Sequence, residues 1–141
     1  MSNSLEFSCE DFFIRLFKAD ARSAGKELVH FDEETVGKSN AIVFQAKQTA
    51  KNLAGFGGYD VEMTIEYRSP IGTSQAERDK GAALIHEIVY ESTLNPAVRA
   101  AMATAAGLSD LVIKDESGGD RQNTSDLRKR TVTLPLQAKS A

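Results

Sequence analysis

Asp60, Glu62 and Glu66 lie on one side of an alternating segment, where carboxylates can hold a cation or divide acid and base roles. On a strand face in water the same acids are ordinary solvated charges. They also suit a protein contact, because the basic run Arg128, Lys129 and Arg130 of another subunit could pair with them. These six residues are the candidate subunit-interface positions. His30 and His86 sit on different segments, with no second His, Cys or Asp pair at ligand spacing, so no metal is expected. Gly55, Gly57 and Gly58 resemble a phosphate cradle only superficially: no Lys-Ser/Thr pair follows, and the next segment reads as a strand rather than a helix. Turn geometry explains them better. No serine sits in a nucleophile elbow, and Cys9 has no histidine near it in sequence, so neither a catalytic residue nor a cofactor is expected.

The chain that must position these residues is 141 residues long, 41% hydrophobic and 26% charged, which fits one domain, 1–141, with its own core. Seventeen Lys plus Arg against twenty Asp plus Glu give a net charge of −3, which removes any bulk attraction to nucleic acid or anionic lipid. A lone cysteine permits no internal disulfide and suits a reducing compartment. No apolar run reaches the ~18 residues of a membrane span, and the first six residues lack the form of a signal peptide. A cytoplasmic protein is expected.

Phe12, Phe13, Leu16 and Phe17 repeat at helical spacing after Ser8, a plausible N-cap with Asp11 in the first turn, and Gly25 reads as the end of that helix. A brief strand is possible over Glu27 to Phe31, before a polar loop from Asp32 to Asn40. Ala41 to Ala46 is a β-prone apolar run, and Lys47 to Asn52 reads as a polar connection. From Tyr59 to Arg68 apolar and polar residues alternate without a break, which predicts an antiparallel strand with one face on a core. Ser74 and Glu77 have capping-box spacing and open a helix whose buried side carries Ala82, Ile85, Ile88, Val89 and Ser92. Asn95-Pro96 opens a short alanine-rich helix closed by Gly107. Leu111 to Ile113 predicts a strand, Asp115 to Asp126 a mobile loop, and Arg128 to Leu136 a final strand whose Pro135 points to a sheet edge or a pairing defect. The sum is an α+β fold: a small, mostly antiparallel sheet of about four strands with helices packed on one face.

From about Asp11 to Ala138 this order resembles the tail-terminator, or tail-completion, proteins of tailed bacteriophages. The likeness rests on the first helix, the Ala41 to Ala46 strand, the turn Gly55-Phe56-Gly57-Gly58-Tyr59, the alternating strand ending at Ser69-Pro70, the helix from Ser74 to Thr93, the strand at Leu111 to Ile113 and the closing strand from Arg128 to Leu136. The alanine-rich helix after Thr93 departs from the pattern. The resemblance implies a virion protein, assembled in the host cytoplasm, that forms a homo-oligomeric ring, usually of six copies, on the head-proximal end of a tail tube. Its implied partners are the tail tube protein and a neck or head-completion protein; passive DNA passage through the lumen stays open, and a modestly acidic wall would let DNA slide without sticking. Such a role needs no catalytic residues. The loops expected to meet neighbours are Asp32 to Asn40, Lys47 to Gly58 and Asp115 to Asp126. Two other readings stay open: a head-completion or adaptor protein of the neck, and a small binding module or enzyme whose site forms at an oligomer interface.

Overall fold

The computed structural model describes residues 4–31, 40–51, 58–69, 74–113, 120–122 and 129–140. Among the described residues ten elements follow one another: α1 (Ser4–Lys18), a 3-10 turn (Ala21–Ser23), β1 (Glu27–His30), β2 (Ala41–Lys51), β3 (Tyr59–Arg68), α2 (Gln75–Thr93), α3 (Pro96–Ala105), β4 (Leu108–Ile113), β5 (Asp120–Gln122) and β6 (Lys129–Ser140). The strands make one six-stranded sheet in the order β1-β2-β3-β6-β4, with β5 also paired to β6. Every pairing is antiparallel except β1 with β2. The fold is α+β with a mostly antiparallel sheet, as expected. The expectation of about four strands is roughly met among the described residues: β2, β3, β4 and β6 are the four, the brief strand over Glu27 to Phe31 is β1, and β5, three residues long, is too short for periodicity to reveal.

Alternation decides which side of the sheet is covered. Val61, Met63, Ile65 and Tyr67 of β3 join Ile42, Phe44 and Ala46 of β2 and Val132, Leu134, Leu136 and Ala138 of β6 in a single core. Onto this face α1 brings Leu5, Cys9, Phe12, Phe13, Leu16 and Phe17, α2 brings Ile85, Ile88 and Val89, and α3 with its C-cap brings Ala103 and Ala106. Two edge-to-face ring pairs, Phe12 with Phe13 and Phe17 with Phe44, fix the aromatic part of this core at centroid separations of 4.9 and 5.1 Å.

The helix signals have the expected chemistry. Ser74 Oγ accepts the Glu77 N–H, Asn95 Oδ1 accepts the Val98 N–H, and Gly107 ends α3 at φ +86°, where a side chain would be strained. At α1 the structure corrects the boundaries. The helix starts at Ser4, so Ser8 lies in its second turn instead of capping it, and it stops at Lys18 rather than running to Gly25. Asp20 then caps the 3-10 turn by accepting the Arg22 N–H.

Lys47 to Lys51, expected as a connection, continues β2 in register with β3 past an irregularity between Gln48 and Ala50. The polar side chains misled because this half of the strand turns Lys47 and Thr49 to solvent. Pro135 does not lie at an edge, since β6 runs between β3 on one side and β4 and β5 on the other. The other half of that expectation fits the register: β5 pairs with Thr131 to Thr133 and β4 with Leu136 to Ser140, leaving Pro135 at the break between them, where its missing N–H costs least. Of the loops expected to meet neighbours, 32–39, 52–57, 115–119 and 123–126 lie outside the described residues.

Cys9 is fully buried, and burial, with Glu10 and Glu6 nearby, pushes its thiol up to about 12 from 9.0. That is a roughly thousandfold loss of thiolate, the reverse of an activated cysteine. Ellman's reagent should therefore modify the native protein about a thousandfold more slowly than the urea-unfolded chain. Equal rates would show that the α1 side of the core opens readily.

Candidate functional site

The sheet face turned away from the helices carries the candidate acids, and register places them. Asp60 stands opposite Gln137, Glu62 opposite both Lys47 and Pro135, and Glu66 opposite both Val43 and Thr131. The two ends of this face differ. Around Glu66 it is closed: Ala41, Val43, Arg68 and Thr131 are all buried. Around Glu62 it is open, with Lys47, Thr49, Pro135 and Lys139 exposed. Here Thr49, Asp60, Glu62, Thr133 and Pro135 line a groove of about 260 Å3. The Thr49 hydroxyl donates to the Asp60 carbonyl at 3.2 Å across its rim.

Within one copy Lys129 is in register with Arg68 and Arg130 with Tyr67, next to Glu66 but eight and seven residues along β3 from Asp60, or about 23 to 26 Å at strand rise. Arg128 lies outside the described residues. Glu66 leaves the acidic set, since its Oε2 accepts from Arg68 Nε at 2.7 Å, with the Arg68 side chain only 7% exposed. The acids at the open end are thus Asp60 and Glu62.

A second polar cluster was not foreseen. The pairing of β1 with β2 stops at Phe44, leaving the later N–H groups of β2 on that side without a strand partner among the described residues. Two carboxylates of α1 take them: Glu10 Oε2 accepts from Ala46 N–H and Glu6 Oε2 from Gln48 N–H, both at 2.8 Å. Glu10 Oε1 also meets His30 Nδ1 at 2.8 Å, and the Phe7 ring stacks on the imidazole with centroids 4.2 Å apart. Burial raises the Glu10 pKa, against the lowering influence of the Ala46 N–H and His30. A sequence signal existed: Glu6, Glu10, Phe13 and Phe17 share one helical stripe, so two acids stand in line with two core phenylalanines.

This cluster holds structure together. It brings no nucleophile to a base, because the neighbouring Cys9 is silenced by burial. Among the described residues no group of three or more His, Cys, Asp or Glu could hold a metal ion, and His86 stands apart on α2. No described helix is long and apolar enough to cross a membrane. No protein-family model matches the chain, and no curated protein matches it.

Proposed function

We propose that this chain is a virion assembly protein of the tail-terminator kind, working as a homo-oligomeric ring, usually of six copies, at the head-proximal end of a phage tail tube. The observation that carries this reading is the divided helix-free face: closed around Arg68 and open around Glu62, where charged side chains and a shallow groove are presented on long, rigid strands. A sheet backed by helices gives such a surface the stiffness that a lateral subunit contact needs. On this reading Asp60 and Glu62 take basic groups from a neighbouring copy, for which Lys129 and Arg130 at the start of β6 are the nominees. The tube protein and a neck or head-completion protein bind the two ends of the ring, and DNA passes through a lumen that does not attract it.

Light-scattering mass and negative-stain images of the purified chain test this directly. Six copies around an open centre are expected, and the paired change Asp60→Lys, Glu62→Lys should shift the mass toward the monomer. Rings of twelve would reassign the protein to the neck. A persistent monomer that also fails to bind tail tubes would overturn the virion reading.

A further inference from the structure

On the helix side, away from the acidic groove, a cleft of about 320 Å3 opens where three parts of the chain converge. Its lining includes Arg22 of the 3-10 turn, Lys26 just before β1, Tyr67 of β3, and Glu77, Lys80 and Gly81 of α2. Three cationic side chains thus face one carboxylate. We infer that this cleft binds a phosphate monoester, its phosphate held by Lys26 and Lys80 and its organic part laid toward Tyr67. The assignment is independent of the ring reading.

Each feature has a physical role. Gly81 lets α2 lie close against the largely buried Tyr67 ring, since a Cβ there would come within 2.2 Å of Tyr67 Cδ2 and Cε2, and the part of Tyr67 left uncovered contributes to the cleft's lining. Lys26 Nζ stands 5.8 Å from the centroid of that ring, held as a cation over an aromatic face. Lys80 Nζ meets Glu77 at 3.3 Å, but both side chains are mostly exposed, and such a pair gives way readily to a better anion. Arg22 is already engaged by Asp20, Glu87 and Glu91, which fix its guanidinium as a wall and leave the two lysines as the phosphate's main donors. Burial and the nearby Glu77 push the Tyr67 phenol up, so it stays a neutral O–H. A phosphate monoester carries about −1.5 to −2 charge near neutral pH, and with Arg22 engaged Lys26 and Lys80 are the two cations of the lining left to meet it. Lysine point charges suit phosphate better than a planar carboxylate.

The test is an amide-shift NMR titration of the full chain with phenyl phosphate and, separately, with inorganic phosphate. The expected result is saturable shifts centred on Lys26, Lys80 and Gly81, with phenyl phosphate binding at about millimolar concentration and inorganic phosphate several-fold more weakly. Lys26→Met with Lys80→Met should weaken phenyl phosphate at least about tenfold. Lys47→Met with Lys139→Met, removing the same charge from the opposite sheet face, should leave it unchanged. Equal weakening by the two pairs, equal binding of the two probes, or no saturation by about 20 mM would each overturn the assignment.

Discussion

Gly81→Ala is expected to destabilise the protein by about 2 kcal/mol, lowering the melting temperature by about 6 °C, although alanine is the better helix former. The added methyl would enter the Tyr67 ring at 2.2 Å, and that ring is 6% exposed with core on its other side, so it cannot swing clear. Overpacking of about 3 kcal/mol then outweighs a propensity gain of about 1 kcal/mol. Urea unfolding of Gly81→Ala, Tyr67→Leu and the double variant measures the coupling. Relief of most of the Gly81→Ala cost in the Tyr67→Leu background is expected, and strict additivity would place the strain elsewhere.

Glu10→Leu should cost about 2 kcal/mol, because it leaves the buried Ala46 N–H without its acceptor and His30 without its carboxylate partner. Glu10→Gln keeps an oxygen for the Ala46 N–H and should cost less than half as much. The pH dependence has a definite sign. Desolvation by burial raises the folded pKa of Glu10 above its ordinary value, so the folded state holds this proton more tightly than the unfolded chain. Its contribution to stability is therefore fully present below the unfolded value of 4.5 and is lost as pH rises through the raised folded value. The stability difference between wild type and Glu10→Gln should move in favour of wild type on going from pH 8 toward pH 5. Chemical denaturation at the two pH values reads it, and movement the other way would mean that the hydrogen bonds from Ala46 and His30 outweigh burial.

Local rules made some elements legible and left others hidden. The ten-residue alternation of β3 appears with its expected ends, and Ser74, Asn95 and Gly107 cap as their residue types dictate, because each signal is complete within a few residues. The second half of β2 and the interior place of Pro135 were hidden because both depend on which strands lie alongside. A polar run such as Lys47 to Lys51 is a strand only when β3 offers it a ladder. Asp60, Glu62 and Glu66 do share a face, yet Arg68 claims Glu66, a contact that spacing two residues along one strand permits but does not require. The Glu10 cluster escaped for a like reason, since the N–H groups it serves lie 36 and 42 residues away in sequence from the glutamates that meet them.

Those carboxylate contacts bear on how the protein behaves when crowded. A strand whose N–H groups point into solvent is a template for another chain, and stacked growth of that kind leads to amyloid. In β2 the N–H groups of Ala46 and Gln48, beyond the end of the β1 ladder, are already answered by Glu10 and Glu6, and in β4 the Leu111 N–H is answered by the Asp110 carboxylate at 2.9 Å, beside the irregularity between Leu108 and Asp110. An incoming strand would have to displace charged acceptors before it could form its first bond. At high concentration the chain is thereby guarded against fibril growth at these positions.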